Sequence, residues 1–131
     1  MELAFERYVT SRITTAGDLE RITTLGFRGE ALPSIAAVAQ VELLSCTDER
    51  LAGGYLKLKN GRMVERGSRA CPRGTIVTVR DLFRNVPARL KFLKSSFTEN
   101  SHINHLVIQY SLALPSVTGY ISPPSANPLK P

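Results

Sequence analysis

The sequence of 131 residues has no tryptophan, only two cysteines, and no apolar run that approaches the roughly 20 residues of a membrane span. Glu2, Glu6 and Arg7 also break up any apolar stretch that a signal peptide would need. Cys46 and Cys71 lie 25 residues apart without a CxxC motif or a neighbouring histidine, which argues against zinc binding and against a redox pair. We therefore expect a cytoplasmic protein with no membrane partner and no bound structural metal.

Acidic residues are scarce in the second half of the chain. Residues 61 to 131 hold 10 Lys and Arg against 3 Asp and Glu, whereas residues 1 to 60 hold 7 against 8. From Arg73 to Lys94, six basic residues accompany a single acidic residue, Asp81. Such a surplus attracts the phosphates of a nucleotide or of DNA. A solvated basic face that only aids solubility explains the same composition, so both interpretations stay open.

Three helical segments are predicted in the first half. Glu2 to Val9 is rich in helix-compatible residues, and Asp18 can cap a short turn that ends at Ile22. Gly29 to Val38 is predicted as a helix because its apolar residues recur at intervals of three, four and seven. Pro33 fits this helix only within its first turn, where its missing N–H costs nothing.

The middle of the chain is predicted to form a hairpin-rich sheet. Val41 to Thr47 is rich in strand-forming residues, and Gly53 to Lys59 alternates between apolar and polar positions. The Asn60-Gly61 dipeptide that follows is a strong signal for a two-residue hairpin turn. Thr75 to Arg80 is the clearest strand in the sequence.

Two helices and an extended tail are predicted for the rest. Ala88 to Lys94 suits a basic helix, and Thr98 or Asn100 is expected to cap a longer one. The longer helix carries an apolar stripe of Ile103, Leu106, Val107, Tyr110 and Leu114. Ser116 to Pro131 is Pro-rich and is expected to be extended or disordered. This order of elements implies an α+β layered fold.

The run from Gly26 to Leu32, with the sequence GFRGEAL, is the most informative one for function. Two glycines three residues apart, directly before a helix, allow the backbone to approach an anion closely. Unpaired N–H groups at a helix start also attract phosphate. The alternative is purely structural: Gly26 ends one turn and Gly29 begins the next helix.

Longer stretches on either side of this run carry a family resemblance. The stretches Arg7 to Ile13, Asp18 to Ser45 and Gly74 to Ser95 resemble the N-terminal ATPase region of the MutL family of DNA mismatch repair proteins. The resemblance implies an α+β fold: part of a GHKL or Bergerat-type two-layer sandwich, with helices on a mostly antiparallel sheet and a remnant of a second domain. It implies that residues 1 to 82 belong to the ATPase domain, 83 to 115 to the junction and first helices of the second domain, and 116 to 131 to a Pro-rich tail.

The same resemblance implies an ATP site. In the family, the GFRGEAL motif lies in the lid over the nucleotide, and a Gly-Thr motif supplies a hydroxyl near the adenine. Mg²⁺ accompanies ATP in the intact family. The positions of this chain that match the nucleotide-binding words are Thr10, Ser11, Gly26, Phe27, Arg28, Gly29, Glu30, Ala31, Leu32 and Thr75.

DNA and protein partners also follow from the resemblance. The run from Phe83 to Lys94 resembles the junction between the two domains, and its basic residues are candidates for DNA contact: Arg84, Arg89, Lys91 and Lys94. The intact family acts on mismatch-containing DNA with a MutS-type recognition protein and a second copy of itself. A charged outer face without DNA contact is the alternative for these residues.

The chemistry of hydrolysis needs further residues. In the family, the general-base glutamate, the Mg²⁺-binding asparagine and the adenine-binding aspartate lie in E-L-x-N and D-x-G-x-G motifs. Neither motif occurs in this sequence. The stretch Ser116 to Ser125 resembles a family segment that normally lies much further downstream, in the second domain. We therefore expect an internal deletion near Pro115. We therefore expect a MutL-type ATPase fragment that does not hydrolyse ATP by itself. A noncatalytic DNA-binding or interaction fragment, and a gene fragment without activity, are the alternatives.

Overall fold

The computed structural model describes residues 1–9, 16–21, 26, 28–48 and 52–122 of the chain. Its contacts divide the chain into two compact units, Met1–Lys91 and Phe92–Pro131. The first unit contains the sheet and those candidate nucleotide residues that the structure describes, and the second contains one long helix. The division into three segments expected from the sequence stays a prediction.

A four-stranded antiparallel sheet forms the centre of the first unit. Its strands are β1 (Gln40–Cys46), β2 (Gly53–Lys59), β3 (Arg62–Arg69) and β4 (Gly74–Arg80), in the order β3-β2-β1-β4. All neighbouring strands are antiparallel, as the hairpin-rich prediction required. The bounds agree with the predicted strands to within one residue for β1, β2 and β4.

The turn between β2 and β3 confirms the hairpin prediction. Asn60 and Gly61 both have positive φ, 51° and 76°, which a type I′ turn requires. An irregularity in the pairing between Lys57 and Leu58 follows, so that Lys57 lies opposite Glu65 and Leu58 opposite Met63. The extra residue on β3 is a bulge, and such bulges bend and twist an edge strand.

One face of the sheet is covered by α1 (Ala31–Val38). Ala36 and Ala39 pack against Val41, Leu56 and Leu58, and the side chains of Phe5 and Ile35 lie beside this cluster. Because α1 contacts β1 and β2, the same face of β4 stays open. The half-exposed Val77 and Val79 lie on this open part of the face, which we call the open strip of β4.

The first helices are shorter than the sequence suggested. A 3₁₀ helix spans Glu2–Phe5, and Tyr8 has a φ of 65°, so the helix predicted through Val9 is wrong. A second 3₁₀ helix spans Ala16–Arg21, close to the turn predicted from Asp18. Glu2 of the first 3₁₀ helix forms an ion pair of 2.7 Å with Arg66 of β3.

Helices after the sheet also differ from their predicted bounds. α2 is limited to Pro87–Leu90, with proline at its first position, so the predicted helix through Lys94 is wrong. α3 spans Ser96–Ala113 and is capped by Ser95, whose hydroxyl accepts from the backbone N–H of Thr98 at 3.3 Å. The predicted caps at Thr98 and Asn100 were therefore placed too late.

The apolar stripe of α3 is exposed. The side chains concerned are Ile103, Leu106, Val107, Tyr110 and Leu114. Within the described part of the second unit, none of the residues of α3 is buried. No described helix is both long and apolar enough to cross a membrane.

Two valines that pair across β1 and β4 provide a matched test of this packing. Val41 is 0% exposed, whereas its partner Val79 on the open strip is 43% exposed. We expect Val41→Ala to lower the free energy of unfolding by about 1–3 kcal/mol, because it leaves a cavity under α1. Val79→Ala should cost below about 1 kcal/mol, because little buried surface is lost. Urea unfolding of both variants decides this, and equal losses would contradict the described core.

Candidate functional site

The GFRGEAL run leads directly into the first turn of α1. Gly26 and Arg28 are exposed, and Glu30 occupies the N-cap position of the helix. No described side chain donates or accepts a capping hydrogen bond there, and Pro33 lies in the first turn as predicted. The backbone N–H groups at this helix start carry partial positive charge that favours an anion. The geometry is that of a phosphate-compatible helix start.

Gly29 is held in a conformation that only glycine adopts easily. Its φ is 62°, which explains why the helix begins at Ala31 and not at Gly29 as predicted. A Cβ added at Gly29 would collide with the Val9 carbonyl oxygen and would lie 2.8 Å from the Val9 carbonyl carbon. The need for glycine therefore has a structural cause inside the protein, in addition to any ligand.

Thr75 lies at the second position of β4, opposite Ser45 of β1. The Oγ1 atom of Thr75 and the Oγ atom of Ser45 are 2.8 Å apart, a hydrogen bond between two hydroxyls. Val41 shares the face of Ser45, because residues four apart along a strand point the same way. The hydroxyl pair therefore lies on the same sheet face as α1, at the end of the open strip.

Two turns fix the C-terminal end of α1. The carbonyl oxygens of residues 36 to 39 each accept a hydrogen bond from a donor outside the helix. The donor and acceptor pairs are Gly61 N to Ala36 at 2.7 Å, Asn85 Nδ2 to Ala37 at 2.9 Å, Phe83 N to Val38 at 2.8 Å and Asn60 N to Ala39 at 3.2 Å. Only Ala39 separates α1 from β1, and Ala36 and Ala39 pack on the sheet face that also carries the hydroxyl pair.

The opposite face of the sheet is charged. Lys57 of β2 and Glu42 of β1 form an ion pair of 3.0 Å, and both side chains are partly buried. The hydrogen bond from Lys57 lowers the pKa of Glu42 against an opposing effect of desolvation, and the same bond raises the pKa of Lys57. The pair therefore stabilises the fold above the ordinary pKa of a glutamate, and this contribution disappears as pH falls through the lowered value.

The candidate DNA-contacting residues are exposed. Arg84 forms an ion pair of 3.5 Å with Asp81, and the guanidinium of Arg89 lies 5.8 Å from the centre of the Phe83 ring. Lys91 follows α2 at the end of the first unit. Lys94 belongs to the second unit, where its backbone N–H donates to Glu99. Three of the four basic residues thus share one unit.

Some candidate residues lie outside the described part of the chain. These are Thr10, Ser11 and Phe27.

Among the described residues, no three His, Cys, Asp or Glu side chains gather as a metal site would require. Ser45 and Asn85 were not among the predicted site residues, because their contacts depend on strand register and on a turn that returns to α1. Only their position inside the resembling stretches could have pointed to them.

Comparison with known proteins identifies the family. No protein-family model matches the chain. The DNA mismatch repair protein MutL of Symbiobacterium thermophilum is 55% identical over 115 residues, which cover 88% of this chain and 18% of that protein. MutL of Desulforamulus reducens is 47% identical over 117 residues, which cover 89% of this chain and 18% of that protein.

A solved structure gives the same result. The Aquifex aeolicus MutL ATPase domain complexed with ADP matches with a TM-score of 0.63 and 33% identity, over 79% of this chain and 41% of that chain. The chain belongs to the MutL family. The α+β fold class, as part of a GHKL-type ATPase domain, is confirmed. The chain spans about a fifth of the length of the curated MutL relatives that it matches.

Gly29 and Gly26 provide a matched pair for testing the start of α1. We expect Gly29→Ala to lower the free energy of unfolding by about 1–3 kcal/mol, because of its positive φ and the collision with Val9. The Cβ of Gly26→Ala meets no atom of the described residues within 4 Å, and the change should alter stability by less than about 0.5 kcal/mol. Chemical denaturation followed by circular dichroism measures both. A stable Gly29→Ala variant would show that the described approach of Val9 is wrong.

Proposed function

We propose that this chain is a segment of a MutL-type mismatch repair ATPase that grips the nucleotide phosphates and supports the adenine end. The observation that carries the proposal is the likeness to the Aquifex aeolicus domain, which was solved with ADP. The wider role that we propose for the whole protein is DNA mismatch repair in the cytoplasm. Its proposed partners are a MutS-type recognition protein and a second copy of the chain.

The phosphate grip is proposed at the start of α1. Backbone amides of Ala31 and Leu32 point out of the helix start, where the dipole favours negative charge. Arg28, which is exposed beside them, adds a full positive charge. Gly29 and Glu30 complete the turn that presents these groups, and among the described residues no atom lies within 4 Å of the position that a Cβ on Gly26 would take. Thr10, Ser11 and Phe27 are proposed to complete the lid.

The adenine end is proposed at Thr75. Its hydroxyl is exposed on the face that carries α1, where the open strip leaves room for a ligand. Ser45 holds this hydroxyl in place through the 2.8 Å hydrogen bond. A threonine whose side chain is already oriented loses less conformational entropy when a ligand binds.

Hydrolysis is proposed to depend on residues that this sequence does not contain. Among the described residues, no three His, Cys, Asp or Glu side chains gather around one point. Glu30, whose carboxylate belongs to the turn of the proposed phosphate grip, occupies the N-cap position of α1. The chain itself is therefore proposed to contribute binding and positioning, and not the general base.

A nucleotide titration tests this division of roles. We expect the chain alone to bind ATP weakly and to release no phosphate above background. Addition of a segment of a MutL relative that contains the E-L-x-N and D-x-G-x-G motifs should restore affinity for ATP. In that complex Thr75→Val should weaken binding about fivefold, through one lost hydrogen bond of about 1 kcal/mol. Calorimetric titration, corrected for the folded fraction, gives both affinities.

Thr78 is the matched control for this titration. It lies on the same strand three residues later and therefore points to the opposite face. Thr78→Val should leave ATP affinity unchanged. If Thr75→Val binds ATP as tightly as the unmodified chain, the adenine role is wrong. If the complemented chain binds no ATP at all, the ATPase proposal itself fails, and a noncatalytic DNA-binding or interaction role replaces it.

DNA contact is proposed for the basic residues around α2. Arg89 and Lys91 are exposed and have no described acidic partner within ion-pair distance, whereas Arg84 is paired with Asp81. Lys94 adds a further positive charge in the second unit. Positive groups of this kind bind DNA through its phosphates, without reading the sequence of bases.

The expected DNA binding is weak and strongly dependent on salt. Fluorescence anisotropy with a labelled duplex should show affinity falling linearly with the logarithm of salt concentration. The double variant Arg89→Gln, Lys91→Gln should reduce the slope by about two, since each lost phosphate contact contributes about one. Lys59→Gln, an exposed lysine at the end of β2, is the control and should leave the slope unchanged. Salt-insensitive binding would contradict the phosphate interpretation.

A further inference from the structure

The structure brings the two cysteines together, although their spacing in the sequence argued against a redox pair. Cys46 is the last residue of β1 and is buried, whereas Cys71 lies in the connection between β3 and β4 and is half-buried. Both border the space above Gly53. A Cβ built on Gly53 would collide with Cys71 Sγ and would lie 3.2 Å from Cys46 Cβ. The residue beneath the two thiols therefore has to lack a side chain.

Hydrogen bonds and burial define the surroundings of the two thiols. Cys46 Sγ donates a hydrogen bond of 2.8 Å to the carbonyl oxygen of Asp48. Desolvation raises the pKa of Cys71, and a hydrogen bond with the Cys46 thiol raises it further, against a smaller opposing effect of a backbone hydrogen bond with Gly53. Because Cys71 Sγ and Cys46 Cβ both border the position that a Cβ on Gly53 would take, the two side chains are neighbours. Neither cysteine forms a disulfide in the structure.

We propose that Cys46 and Cys71 are a site of reversible oxidation, at which a low-molecular-weight disulfide such as oxidised glutathione converts the thiol pair to an intramolecular disulfide. Cys71 reacts first, because it is the more exposed of the two. The raised pKa of Cys71 leaves only a small thiolate fraction, and this thiolate attacks the reagent, so the reaction is faster at higher pH. A Cys71–glutathione bond forms, the reagent's disulfide breaks, and one glutathione leaves as a thiolate that takes up a proton. The Cys46 thiolate then attacks Cys71 Sγ and releases the second glutathione. Two thiols of the protein are oxidised, and one reagent disulfide is reduced to two thiols.

The disulfide would join the end of β1 to the connection that leads into β4. Such a cross-link removes conformational freedom from the unfolded chain and so raises stability. Cys46 follows Ser45 directly, so the thiols lie on the sheet face opposite to the Ser45–Thr75 hydroxyl pair. The thiol site is thus separate from the proposed nucleotide site, and either proposal can fail without the other.

Equilibration with reduced and oxidised glutathione tests the site. The purified chain should lose both titratable thiols, become lighter by about 2 Da, and give a Cys46–Cys71 cross-linked peptide in non-reducing mass spectrometry. Its melting temperature should rise on oxidation and return on reduction. The equilibrium constant for disulfide formation should be at least about tenfold larger in the folded chain than in guanidinium, because the folded structure already holds the sulfur atoms together.

Two single variants provide the controls. Cys46→Ser should stop at a stable Cys71–glutathione adduct, because the second attack is lost. Cys71→Ser should react slowly, because the remaining thiol is buried. Ordinary packing of two cysteines as small apolar side chains predicts a different result: glutathione adducts or intermolecular dimers without the intramolecular bond. That result, or an equilibrium constant no larger in the folded chain than in guanidinium, would overturn the proposal.

Discussion

The hydrogen bonds at the C-terminal end of α1 are the constraint on which the first unit depends. The last carbonyls of a helix have no partner within it, and a buried carbonyl without a partner costs about 1–3 kcal/mol. Here the carbonyls of residues 36 to 39 accept from the β2–β3 turn and from the turn that follows β4. One helix end therefore joins two parts of the chain that are more than 20 residues apart. Helix, hairpin and final strand have to form together.

This constraint explains why the chain tolerates strain in the turn after β4. Asp81 and Phe83 have φ values of 55° and 64°, which cost energy for residues with a side chain. The same conformation directs the Phe83 N–H at the Val38 carbonyl and brings the Asn85 amide to Ala37. The bonds to the helix offset the local cost. Phe83 and Asn85, which belong to the run that resembles the family's domain junction, thus have a structural role in the first unit.

Much of the fold was predictable because its signals are local. The alternation in Gly53 to Lys59 and the Asn60-Gly61 turn specify a hairpin without help from the rest of the chain. Helix ends were predicted less well, because they depend on distant contacts: Val9 fixes Gly29 in a left-handed conformation, and α1 begins two residues later. The start of α3 differs from the prediction for a local reason, since Ser95 caps the helix three residues before Thr98.

The candidate site shows the same division between local and distant information. The GFRGEAL run is contiguous, so its place at the start of α1 followed from sequence. The partners of Thr75 and Cys46 did not, because they depend on strand register: pairing of β1 with β4 places Ser45 opposite Thr75 and Cys46 opposite Gly74. A slip of β1 by one residue would move Ser45 to the charged face and Cys46 to the face of α1, so each would lose its partner.

The buried side chains under α1 prevent such a shift. Val41, Leu43 and the β2 residues Leu56 and Leu58 alternate toward the helix, and a slip of one residue in β1 would replace its buried residues by Gln40, Glu42 and Leu44. Burial of Glu42 without Lys57 would cost several kcal/mol, because an unpaired charge would leave water. Packing at one end of β1 therefore determines which functional groups meet at its other end. The chemistry of the hydroxyl pair and of the thiol pair is a consequence of core packing around Val41, and changes there would affect both.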